Sequence, residues 1–138
     1  MRAIIIGALL LLSVVASADG YLYAGAWSKH IGTSAENETH DNYGLMIDGW
    51  TAAYITNSYD DEGAYAGYAF RYQWRDLELS ALVGAVYAYH GCYLDEPGEH
   101  KTVCPLIVPS ATYTRYRLQP QIALWGNAVV LTLRFRLW

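Results

Sequence analysis

Charge is scarce in this sequence. Asp, Glu, Lys and Arg make up 16% of it, and the net charge is −4. A chain this poor in cations lacks the basic face that nucleic-acid binding requires. Long apolar runs are also missing beyond residue 18, which excludes a membrane-spanning helix from that point on. Cysteine is limited to Cys92 and Cys104, and none stands at residues 16–20 to carry a lipoprotein anchor. His30, His40 and Asp41 show no spacing that singles out a metal site, and nothing in the chain calls for a cofactor.

What is present begins with Met1-Arg2, an apolar stretch from Ala3 to Val15, and Ala16-Ser17-Ala18 ahead of Asp19-Gly20. A positive start, an apolar middle and a small-residue cleavage site describe a secretory signal peptide. Residues 1–18 are therefore expected to be removed, leaving 19–138 as one domain. In an exported chain the two cysteines suit a single disulfide.

Hydrophobic residues make up 54% of the sequence, with 13 Tyr and 5 Trp. An exported chain that is apolar and aromatic, yet lacks a spanning helix, suggests strands with one face in lipid. Eight strands are expected, over 20–30, 43–48, 50–58, 64–74, 77–90, 106–118, 120–126 and 128–138. The links at Asp48-Gly49, Arg75-Asp76 and near Gln119 are tight, whereas 31–42 and 91–105 are long. Short turns at one end and long loops at the other, on an even strand number, fit an eight-stranded antiparallel outer-membrane β-barrel with periplasmic termini.

The alternation agrees. Tyr68, Phe70, Tyr72 and Trp74 share one face, as do Leu77, Leu79, Ala81, Val83, Ala85, Tyr87 and Tyr89, and then Val129, Leu131, Leu133, Phe135 and Leu137. Trp138 falls instead in the phase of Arg134 and Arg136. Facing the lumen near the turns are Arg71, Gln73, Glu78, Ser80, Gln121, Arg134 and Arg136, joined by Arg115 or Arg117, a set able to pair internally. Nearer the loops come Leu82, Gly84, Val86, Ala88, Ala123, Trp125, Ala128 and Val130. This half reads either as a slot for a hydrocarbon chain or as a lumen packed shut by its own side chains.

All four His, Ser58, and Glu36, Glu38, Asp41, Asp60, Asp61, Glu62, Asp95, Glu96 and Glu99 gather at the loop end. "TNSYDDEG", residues 56–63, could be only a turn, because Asn, Ser, Asp and Gly are what turns select. The acidic loops could equally hold divalent cations or a binding partner.

Several stretches carry a resemblance. "LYAGAW" with His30 beyond it, "NETHDNYGL", "TNSY", "PLIVPSATY" and "GNAVVLTLRFRL" follow one another along the chain. In this order they resemble the lipid A palmitoyltransferase (PagP) family, eight-stranded outer-membrane barrels that move a palmitoyl chain from a phospholipid to lipid A. The resemblance implies a catalytic His at His30, acting as general base on the lipid A hydroxyl, and an essential Ser at Ser58, polarising the ester carbonyl. It implies an acyl slot involving Leu82, Gly84 and Val86, and lateral access near Pro109, since proline cannot donate to a strand ladder. The family's Asp before that Ser is Asn57 here, so Asp60 or Asp61 could replace it. Trp27 and His30 have two residues between them rather than being adjacent, which leaves His40 as a rival. The implied partners are a phospholipid donor, a lipid A acceptor and the outer membrane, with the chain acting as a monomer. The rival reading is a non-enzymatic barrel whose acidic loops bind a partner or mask a receptor.

Overall fold

The computed structural model describes residues 19–32, 38–57, 59–92 and 100–138. The signal peptide expected over 1–18 lies outside them, as do Ser58 and the acidic residues Glu36, Asp95, Glu96 and Glu99. Eight strands follow in order: β1 (Gly20–His30), β2 (Thr39–Ile47), β3 (Trp50–Thr56), β4 (Glu62–Trp74), β5 (Leu77–Tyr89), β6 (Thr102–Tyr113), β7 (Leu118–Trp125) and β8 (Ala128–Arg136). Each pairs antiparallel with its neighbour, and β1 pairs with β8 from Tyr21–Arg136 to His30–Ala128, closing the barrel. Among the described residues no helix is long and apolar enough to cross a membrane.

Several boundaries differ from the sequence reading, most of all the start of β2 and both ends of β6, which begins at Thr102 rather than 106. β2 starts at Thr39 rather than 43, because His40 and Asn42 have inward partners that override the turn preference of Thr-His-Asp-Asn. β6 ends at Tyr113 and the turn falls at 114–117. Thr-Arg-Tyr-Arg contains no Gly, Pro or Asn to announce a turn. Arg115 and Arg117 consequently stand exposed at this turn instead of entering the lumen. Arg117 lies over the outward Phe135 ring and donates to the Leu137 carbonyl.

The turns at 48–49, 75–76 and 114–117 occupy one end with the start of β1 and the end of β8, and the ends of β1, β3, β5 and β7 lie at the other. The outside is apolar along its height. Trp50, Phe70, Tyr72 and Trp74 are more than half exposed near the turn end, and Tyr43, Tyr87, Val103 and Ile107 are broadly exposed nearer the loops. Tyr89 leaves this face. A register shift between Tyr87 and Tyr89 turns its ring onto the interior cluster. Trp138 has a place too: its ring lies against Gly20 at the turn end, where Leu137 N–H donates to the Gly20 carbonyl at 2.8 Å.

Inside, the two halves differ as the sequence suggests. The floor is polar. Arg134, 1% exposed, donates to Glu78 Oε1 at 2.7 Å and twice to Gln119 Oε1, at 2.9 and 2.7 Å. Its guanidinium also stacks 4.2 Å from the Tyr21 ring centroid. Arg71 reaches the other Glu78 oxygen at 3.6 Å, so this buried carboxylate has cations on both sides. The upper half is a cluster of Ala53, Ile55, Tyr65, Val86, Ala88 and their neighbours.

Cys92 and Cys104 form a disulfide across the β5–β6 loop, with Cα atoms 5.2 Å apart. Closing a loop of this size removes unfolded-state entropy worth about 3 kcal/mol. A Cys92→Ser/Cys104→Ser barrel is therefore expected to unfold at lower urea by a corresponding amount. Wild type with and without reductant should show the same difference.

Candidate active site

β1 contains a glycine that decides which side chains face inward. Gly25 has φ +65, and the β1 register shifts between Ala24 and Ala26 against both neighbouring strands. Such a bulge adds one residue and reverses the side-chain phase beyond it. Before it Tyr21 and Tyr23 point inward, and after it Ala26 and Ser28 do, while Trp27 turns out. Ser28, 8% exposed, thereby meets a histidine from β2.

That histidine is His40, 7% exposed. Its Nε2 lies 2.6 Å from Ser28 Oγ, and its Nδ1 lies 3.0 Å from the Thr56 carbonyl oxygen at the end of β3. A carbonyl oxygen only accepts, so Nδ1 carries the proton and donates to Thr56. In the neutral ring Nε2 then presents its lone pair, and the hydroxyl of Ser28 donates to it. A hydroxyl, a base that can take its proton, and a third group fixing the base's tautomer form the arrangement that activates a nucleophile. Here the third group is an uncharged carbonyl, which orients the ring without the charge a carboxylate would add. Ser28 N–H donates to the Glu38 carbonyl at 2.7 Å, and Ser28 pairs with Val130 of β8, so the backbone that carries the hydroxyl is held from two sides. Ala26, Ala128, Val130 and the half-buried Trp125 form the apolar wall around it.

The other site residues fall as follows. His30 ends β1 in the inward phase of Ala26 and Ser28, paired with Ala128 beside the β7–β8 turn. Asn57 is buried, and its amide is committed to backbone. Nδ2 donates to the Ala88 carbonyl at 2.6 Å, while Oδ1 accepts from Tyr59 and Asp61 N–H at 2.8 and 3.0 Å. It fastens the β3–β4 turn to β5 and so fixes the strand end that presents the Thr56 carbonyl. Asp60 is exposed at that turn with φ 61, and Asp61 approaches His90 at 3.5 Å. Among the described residues no group of three His, Cys, Asp or Glu could hold a metal ion.

Leu82, Gly84 and Val86 face the interior as expected, but side chains fill the space they would line. Trp125 packs edge-on against Tyr65 with centroids 5.1 Å apart, and Leu82 joins the same cluster. The cavity between the two halves measures about 30 Å³, room for one water and not for an acyl chain. Gly84 opposes Gly67 across the β4–β5 ladder, and a Cβ on either would strike the other strand's backbone. Pro109 faces outward, and the β6–β7 ladder stops beside it. Only Ser110, Ala111 and Thr112 pair with β7, although β6 continues to Thr102. On the outer wall, a broad open trough floored by Ala52, Ala64, Ala66 and Ala85 runs between Tyr54 and Tyr87.

Ser28 and Thr56 were not legible as site residues. The one local signal was Gly25 inside a strand pattern, which marks a bulge. No protein-family model and no curated protein matches the chain.

Proposed function

We propose that this chain is an outer-membrane barrel that moves a palmitoyl-type acyl chain from a phospholipid to lipid A. The observation that carries this reading is the His40 ring, held between the Ser28 hydroxyl and the Thr56 carbonyl above an apolar lumen. A base poised beside a hydroxyl serves acyl transfer, and its position at the loop end suits a reaction at the outer leaflet. His40 takes the role of general base in place of His30, while Ser58 stays with the ester carbonyl. An apolar exterior with aromatic residues near both ends supports insertion in a bilayer, with termini and short turns on the periplasmic side. The three-pair seam between β6 and β7 beside Pro109 supplies the lateral route, and the arriving chain displaces Trp125 from Tyr65.

The test is expression in a Gram-negative host lacking its own palmitoyltransferase, with lipid A weighed by mass spectrometry. The spectrum is expected to gain one acyl chain. His40→Ala should lower its yield about 100-fold or more, the usual scale for loss of a general base, while His30→Ala keeps most of it. Heat-modified gel mobility checks that each barrel folds. Unmodified lipid A from a folded wild-type barrel would sink the reading.

The filled upper lumen favours a second reading, a non-enzymatic barrel whose acidic loops bind a partner. Glu38, Asp41, Asp60, Asp61 and Glu62 supply the charge at that end, and under this reading lipid A stays unmodified.

A further inference from the structure

We infer that Ser28 is itself a catalytic residue, the nucleophile that carries the acyl chain as an ester between donor and acceptor. The inference rests on the acyl-transfer reading and adds a covalent step to it. A general base acting directly on a substrate hydroxyl needs its lone pair open to solvent or substrate. The lone pair of His40 is instead taken by Ser28 Oγ at 2.6 Å, with both groups more than nine-tenths buried. The ring cannot rotate away without losing its bond to the Thr56 carbonyl. The first proton within its reach is therefore the serine's.

The surroundings of Ser28 also suit the product. Ala26, Ala128 and Val130 make an apolar wall of small residues on β1 and β8, with Trp125 packed against it. An ester on Ser28 would lie against hydrocarbon on that wall. Pairing with Val130 of β8 and the Ser28 N–H bond to the Glu38 carbonyl hold the backbone that carries Oγ, as a nucleophile on a rigid element should be held.

The step balances with the groups named. Ser28 Oγ bonds to the carbonyl carbon of the donor ester as His40 Nε2 takes its proton. The tetrahedral adduct then breaks its bond to the lipid alcohol oxygen, which receives the proton from His40 and leaves as a lysophospholipid. In the second half the acceptor hydroxyl gives its proton to His40 and attacks the acyl-serine carbonyl. Ser28 Oγ leaves and recovers the proton, so neither oxidant nor further reactant is consumed.

The test uses the folded barrel in detergent with dipalmitoyl phosphatidylethanolamine and no acceptor, quenched in acid and weighed intact. Wild type is expected to gain one palmitoyl chain, mapped to the peptide containing Ser28. Ser28→Ala should gain none. Ser28→Cys should gain a chain that neutral hydroxylamine releases, because a thioester has replaced the ester. His40→Gln, which can still hydrogen-bond, should slow acylation about 100-fold or more. If Ser28→Ala folds and still palmitoylates lipid A in cells, the covalent step is wrong and direct transfer stands. If wild type neither gains a chain nor modifies lipid A, the acyl-transfer reading falls with it.

Discussion

Replacing Arg134 with methionine is expected to destabilise the barrel by about 3–5 kcal/mol, seen as a lower urea midpoint for loss of the compact gel form. Arg134 and Glu78 are both nearly inaccessible, at 1% and 4% exposure, and their bond at 2.7 Å is one of three that the guanidinium makes. Removing the cation leaves a carboxylate in the barrel with Arg71, at 3.6 Å, as its remaining ion-pair partner. Gln119, buried and bonded to Arg134 through its Oε1 twice over, also loses its donors. An orphaned buried charge costs far more than an intact pair contributes. An Arg134→Met/Glu78→Leu barrel should therefore recover most of the loss, because both charges leave together. A single Arg134→Met variant as stable as wild type would show that water reaches the floor and screens Glu78.

The second large effect is expected at Gly84. A Cβ there would collide with the Ala66 carbonyl oxygen and Gly67 Cα, both backbone atoms in the middle of a ladder running from Ala64–Tyr87 to Trp74–Leu77. Neither strand can shift without breaking that register. Gly84→Ala should cost about 1–3 kcal/mol, and Gly84→Leu should leave little barrel in the compact form. Gly67→Ala should behave in the same way, since its Cβ would meet the Val83 carbonyl and Gly84. This differs from the expectation for a residue that sets acyl length, where a larger side chain shortens the chain transferred and leaves folding intact. A well-folded Gly84→Leu barrel with a shorter acyl product would instead make Gly84 a residue that sets acyl length.

The barrel was readable from the sequence because its signals are strong and repeated. Tyr68, Phe70, Tyr72 and Trp74 alternate with Ala69, Arg71 and Gln73 over a long strand, and Asp48-Gly49 names its own turn. The polar floor was readable for the same reason, since Arg134 and Glu78 interrupt apolar runs at inward positions. The candidate site was not. Ser28 and His40 meet only through the β1–β2 register and the Gly25 bulge, and both are long-range facts of pairing that no local pattern encodes. Asn57 was visible, both as a turn residue and as a candidate site residue. Turn chemistry, the plainer reading, is what its amide serves, while the carbonyl one residue earlier does the orienting. The packing of the upper lumen was one of two readings between which the sequence could not choose. Whether Trp125 lines a space or fills it depends on Tyr65, three strands away around the barrel.

The short β6–β7 ladder has one more consequence. Beyond Ser110 the β7 side of β6 is an open strand edge, and such edges normally recruit strands from other chains. Pro105 and Pro109 stand four apart on this stretch, while β6 keeps its register with β5 through Pro105–Ala85 and Pro109–Ala81. Prolines within sheets place their missing N–H on the unpaired side. The open edge thus lacks two of the donors that an incoming strand would need. The short seam is thereby a poor template for aggregation.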